Sequence, residues 1–263
     1  MGLNTTKSYI SPRKGKVAGM INGKAKFEQD LTALLIRLKK GLPTDAERKL
    51  DILKDWLLKL QKENIVKINH SVMELVAAKY LILKGYDVQL EYPLSDLLTC
   101  DLYSTKGFGN LIVEIETGFI PPEHALNPLS YTSARLASKI IRYSSFAGKF
   151  GIGVPPHYVL PFPLALARPP RRRTQEDVAF IKNLCDLYYQ NPPVTEDGIR
   201  NARIQAVYII DVDQGKVKEI DPEAYTKRGI QKDFVFPYQA EEGSTSQKAT
   251  TLLDFQECDL ELG

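Results

Sequence analysis

The chain has 263 residues, of which 43% are hydrophobic, and a formal net charge of +3. That is enough apolar material for one well-filled domain with additions, but no run approaches the length of a membrane span and the polar N-terminus lacks a signal-peptide core. Three cysteines, Cys100, Cys185 and Cys258, are scattered without metal or disulfide spacing, the pattern of a reduced cytoplasm.

Charge is placed unevenly. Residues 1–25 hold Lys7, Arg13, Lys14, Lys16 and Lys24 with no acid, and read as a loosely ordered basic arm suited to phosphate contact. Residues 26–66 read as a helical hairpin. Leu31, Leu34, Leu35 and Leu38 recur at helical spacing over 27–40, Gly41-Leu42-Pro43 breaks the pattern, and Thr44 to Glu47 resembles a capping box. A second helix follows to about Lys62, with Leu50, Leu53, Leu57 and Leu60 on one side. Residues 67–238 form the expected main domain. Its first helix, over 71–84, places one acid, Glu74, near Ala77, Ala78 and Leu81. His70, just ahead of it, reads as a cap or a bystander. Gly85 closes the helix, and Tyr86 to Tyr92 alternates as a strand.

The most informative stretch is DLYSTKGFGNLIVEIE, Asp101 to Glu116. It reads as two apolar strands joined at Lys106-Gly107-Phe108-Gly109-Asn110, residues that tolerate a hairpin turn. A turn centred near Gly107 sets Asp101 across from Glu114 or one place off. Glu114 and Glu116, two apart, share a strand face with Ile112. Carboxylates gathered among Leu, Ile and Val are costly to bury without a cation, and an oxygen-rich set suits Mg²⁺ or Mn²⁺.

An Asp, a hairpin and then Glu-x-Lys is the signature of the PD-(D/E)XK, or restriction-endonuclease-like, nucleases, and the chain resembles it with Asp101 and Glu114, while Glu116 stands where Lys is usual. The resemblance covers about the middle third of the chain. It implies an α/β fold with an αβββαβ core, a mixed sheet flanked by helices, preceded here by the helical hairpin. It also implies metal-dependent hydrolysis of DNA phosphodiesters, with RNA left open. Asp101, Glu114 and the main-chain carbonyl of Ile115 would hold Mg²⁺ or Mn²⁺, and Glu74 would reach the metal from the preceding helix. Glu116 would position or deprotonate water. The missing Lys would come from elsewhere, with Lys139 or Arg135 as candidates.

Beyond the hairpin, a Pro-rich loop leads into a helix over 129–147, whose Arg135, Lys139 and Arg142 form a basic stripe. A strand over 149–159 follows, then the cluster Arg171-Arg172-Arg173, a candidate phosphate contact. Thr174 and Asp177 fit a capping box for a helix to Gln190, and Ile204 to Asp211 with Val217 to Ile220 reads as a late hairpin whose Asp211 and Asp213 are turn residues. Residues 239–263 form an acidic tail in which Thr250 to Phe255 faintly resembles a sliding-clamp peptide. The expected partners are therefore DNA, a second copy as a homodimer, and a clamp. An inactive nuclease-like scaffold that binds nucleic acid, or a subunit of a larger complex, is the alternative.

Overall fold

The computed structural model describes residues 14–63, 65–66 and 68–230. Most of the basic arm and all of the acidic tail with its clamp-like peptide lie outside the described residues. The fold is α/β. Six strands form one mixed sheet in sequential order: β1 (Asp87–Ser95), β2 (Leu98–Lys106), β3 (Gly109–Ile115), β4 (Lys149–Val154), β5 (Ala206–Asp211) and β6 (Lys216–Ile220). The first three strands are antiparallel, β3, β4 and β5 run parallel, and β6 returns antiparallel.

Helices cover both faces of the sheet. On one side α1 (Lys14–Lys39), α2 (Thr44–Lys62) and α3 (Ile68–Leu83) share a core with Leu90, Leu102, Leu111, Val113, Ile115 and Tyr208. On the other, α4 (Pro128–Tyr143), α5 (Leu164–Ala167), α6 (Gln175–Asp186), α7 (Glu196–Asn201) and α8 (Pro222–Ile230) cover the remaining face, with a core that contains Cys100, Ile112, Phe150, Ile152 and Val207. The parallel strands β4 and β5 are apolar on both faces, as a doubly covered sheet requires. The helical hairpin belongs to this packing. Trp56 donates its indole N–H to the Leu90 carbonyl at 2.9 Å, and Arg37 donates to the Val212 carbonyl at 2.6 Å.

Several boundaries differ from the sequence reading. The first helix begins at Lys14, inside the stretch expected to be loose. Its glycines at 15, 19 and 23 depress local propensity, and the leucine periodicity that marks the helix is legible only from Phe27 onward. At Thr44 no side-chain cap forms, and Pro43 holds the N-cap position. The fourth strand stops at Val154, because Pro155 and Pro156 lack the N–H a ladder needs. The helix after the Pro-rich loop ends at Tyr143, and the one after Arg173 ends at Asp186. The Thr174/Asp177 capping box is formed, and Asp211 accepts from the Gln214 amide in a turn.

Candidate active site

The central hairpin has the expected register. Lys106 pairs with Gly109 around Gly107-Phe108, with Gly107 at φ +57°, and the ladder runs to Leu102 opposite Val113. There the backbone pairing stops. The next two links are made by carboxylates: the Asp101 amide donates to Glu114 Oε1 at 3.0 Å, and the Ile115 amide donates to Asp101 Oδ2 at 2.5 Å. Strand β2 rotates at this point. Leu102 packs on the α3 side, whereas Cys100, which alternation would place beside it, packs on the α4 side. Across on β1, Glu91 sits between the paired Leu90 and Tyr92 with φ 49°, a left-handed conformation uncommon for a residue with a side chain. The sheet is kinked where its acids gather.

Two helices bring side chains to this kink from opposite faces. From α4, Lys139 Nζ lies 2.7 Å from Glu116 Oε1 and 3.0 Å from Glu114 Oε2. Arg135, one turn earlier, donates to Glu116 Oε2 at 2.7 Å and to the Phe119 carbonyl at 2.7 Å, pinning the start of the loop after β3. From α3, His70 and Glu74 are four residues apart and so share a helix face. A ring nitrogen of His70 and one oxygen each of Glu74 and Asp101 lie within 4.8 Å of one another. Glu74 is fully buried, and both of its carboxylate oxygens lack a hydrogen-bond partner.

Electrostatics divides the cluster. Burial raises the Glu74 carboxyl well above its usual range, and the charges of Asp101, Glu91 and Glu114 push the same way. Asp101 is also raised, by burial, although Lys139 and the Ile115 amide oppose the shift. Glu114 is pushed up to about 8 by burial and by Asp101, against Lys139. Glu91 rises to about 7 for the first two reasons, burial and Asp101. Glu116 goes the other way: burial would raise it, but Lys139 and Arg135 outweigh burial and hold it below the usual range. Lys139 in turn is held well above its ordinary value by Glu114, Glu116 and Asp101, which overcome its burial.

The structure therefore brings together Asp101, Glu114, Glu116, Glu74 and Lys139, and adds Arg135 as a partner of Glu116. Two further residues join them. His70 reads from sequence as a cap or a bystander, although its i, i+4 spacing to Glu74 is legible there; nothing in the alternation of β1 singles out Glu91. For Ile115, the group in contact is its amide, which holds Asp101. The basic stripe is not free. Arg135 and Lys139 are paired with the glutamates, and Arg142 donates to the Pro192 carbonyl at 2.7 Å. Arg173 donates to the carbonyls of Ala165, Ile199 and Arg200, so it ties loops together and its fork is occupied. Arg171 and Arg172 are exposed, with Arg172 3.9 Å from Glu223.

A scan against protein-family models, a search of curated proteins and a search of solved structures each gave no match. Among the described residues, no helix is long and apolar enough to cross a membrane.

Proposed function

We propose that the protein is a metal-dependent nuclease that hydrolyses phosphodiester bonds, DNA first among its substrates, and that its core is of the restriction-endonuclease-like type. The element order supports this: a helix carrying Glu74, three antiparallel strands carrying Asp101 and Glu114 with Glu116 just past the third, a helix carrying Lys139, and a parallel strand. One observation carries the reading. Glu74 is a fully buried carboxylate without a partner, and it converges with Asp101 and His70. An acid so placed needs a proton or a cation. The donor set fits a divalent ion, because two carboxylates and an imidazole are common metal ligands.

A bound divalent ion would polarise a phosphoryl oxygen and lower the pKa of its water toward neutrality. The chain's own groups supply the rest. Lys139, locked in its charged form, is a fixed cation that can face developing negative charge, and it is too basic to serve as a general base. Its position beside Glu116 gives the site the lysine that the Glu-x-Glu ending lacks on the strand. Glu114, poised near neutrality, is suited to take up or release a proton. Arg135 and the Ile115 amide are positioning groups for Glu116 and Asp101.

The test is cleavage of single-stranded, duplex and branched DNA, and of RNA, with Mg²⁺ or Mn²⁺ supplied. Asp101→Asn is expected to remove cleavage with the fold kept, since it takes one charge from a repulsive group and leaves an oxygen for the Ile115 amide. Persistent cleavage by that variant overturns the assignment. A second reading, a scaffold that binds nucleic acid without cutting it, is favoured by the neutralisation of Glu114 and Glu116 by lysine and arginine. Binding of the same substrates with no cleavage under either ion would select it.

A further inference from the structure

We infer that the ion held by His70, Glu74 and Asp101 is a first-row transition-metal dication of the Mn²⁺ class, and that the His70 imidazole is the ligand that selects it over Mg²⁺. This rests on the reading of the site as a metal site, and it narrows the expectation of Mg²⁺ or Mn²⁺ to the second.

The three donors are unlike in a useful way. Glu74 and Asp101 offer hard oxygens that Mg²⁺ and Mn²⁺ accept alike. His70 offers a nitrogen, and imidazole suits transition ions far better than Mg²⁺, which keeps an oxygen shell and dehydrates reluctantly. The His70 nitrogen stands within the same 4.8 Å as the two carboxylate oxygens, so it is close enough to join one coordination shell. Rigid elements fix the set: His70 and Glu74 share one face of α3, and Asp101 is held by the Ile115 amide. Glu74 makes no hydrogen bond, so binding an ion there breaks none. The other acids are differently committed. Glu114 accepts from the Asp101 amide and from Lys139, and Glu116 is held by Lys139 and Arg135. Three protein donors would leave positions on a bound ion for water and a phosphate oxygen, as a hydrolytic site requires.

The experiment is a titration of the chelator-stripped full chain with MnCl₂ and with MgCl₂, in the absence of nucleic acid. Free Mn²⁺ is followed by its electron paramagnetic resonance signal, Mg²⁺ by calorimetry, and His70→Ala and His70→Gln are compared with the parent. The parent is expected to hold Mn²⁺ at least ~10-fold more tightly than Mg²⁺, and both variants to lose roughly 10-fold or more of the Mn²⁺ affinity while Mg²⁺ changes by less than about 3-fold. The metal-free melting temperature of each variant checks its fold, and His70→Gln retains a polar side chain at the helix start. Equal affinity for the two ions in the parent, or unchanged Mn²⁺ binding in the folded variants, overturns the inference. Selective Mn²⁺ binding through His70 with no cleavage of any nucleic acid would instead overturn the nuclease reading and leave this one standing. Cleavage with Mg²⁺ that is indifferent to His70 would do the reverse.

Discussion

Glu116 and Glu74 are buried almost equally, at 5% and 0% exposure, and they lie in one cluster, yet the protein treats them differently. Glu116 meets two cations from α4, so its charge is kept and its carboxyl is lowered. Glu74 meets no cation, so burial raises its carboxyl unopposed and the charges of Asp101, Glu91 and Glu114 add to it. The half of the site beneath α4 is neutral as folded: Glu114 and Glu116 face Lys139 and Arg135. The half beneath α3 is not neutral. What differs is the helix that covers each half, and the lesson is that only the uncompensated half has a use for an exogenous cation. The compensated half already carries its own.

The largest effect should come from breaking the neutral half. Lys139→Met leaves two glutamates buried beside an apolar side chain, and removal of one partner from such a group costs about 3–5 kcal/mol. Urea unfolding at neutral pH measures it. Adding Glu114→Gln and Glu116→Gln in the same chain should recover most of the loss, because the orphaned charges then disappear. A cost below about 1 kcal/mol, the ordinary value of a surface pair, would mean the pairing is incidental.

The acids whose carboxyls are raised, on either side of that division, should show themselves through pH. Glu114 and Glu91 have carboxyls raised from 4.5 to about 8 and about 7, so the folded chain binds protons that the unfolded chain has released. Stability of the metal-free protein therefore falls as pH rises between about 4.5 and 8, by on the order of 3 kcal/mol given the coupling of these groups. Glu116, lowered, has the opposite sign, but it acts below pH 4.5 and does not enter this window. Melting temperatures across the range check the slope. Saturating Mn²⁺ should flatten or reverse it, since the ion competes with protons for Glu74 and Asp101. A flat profile without metal would mean that burial and the charge of Asp101 do not oppose ionisation of Glu114 and Glu91.

A gentler probe is Glu74→Gln. In metal-free protein it removes a repelled acid, so stability at pH 8 should rise by about 1–2 kcal/mol through the loss of desolvation and like-charge cost. In the parent, Mn²⁺ at 100 times its dissociation constant should stabilise by about 2.7 kcal/mol. The variant should lose most of that gain. The two shifts have opposite signs, so differential scanning with and without the ion separates them cleanly from a general packing defect.

How much of this was readable beforehand depends on whether a residue's role is local. The hairpin, its register and the burial of Glu114 and Glu116 follow from alternation and from Gly107, and all three hold. Glu74 was legible because a lone acid on a face of Ala and Leu has no solvent to go to. Lys139 and Arg135 are legible as members of a basic stripe and as candidates for the missing Lys. Their capture by the glutamates depends on the distance between α4 and β3, which no spacing encodes. Arg173 shows the same limit: three arginines in a row read as a surface patch, while the fold turns one inward to bind carbonyls. His70 was within reach through its i, i+4 relation to Glu74. The kink was not: Cys100 and Leu102 face opposite cores where carboxylate bonds at Asp101 and Glu114 take over from backbone pairing, and alternation alone predicts neither.

Glu91 offers the finest test of where the uncompensated half ends. It stands on β1 opposite Asp101, it adds negative charge to Glu74 and Asp101, and its backbone is left-handed. Its oxygens are not among the three donor atoms that converge. Glu91→Asn keeps a residue type that tolerates φ 49° and removes the charge. Without metal, stability at pH 8 should rise by about 1 kcal/mol, because backbone strain eases slightly and repulsion of Asp101 is lost. With metal, affinity should fall by about threefold or less, since a carboxylate outside the ligand set acts through its field alone. Glu91→Ala supplies the contrast: it removes the same charge but places a Cβ without an amide in the left-handed position, so it should gain less or nothing. If Glu91→Asn instead weakens Mn²⁺ binding as strongly as Glu74→Gln does, the boundary lies one strand further out and the ion has a fourth protein ligand.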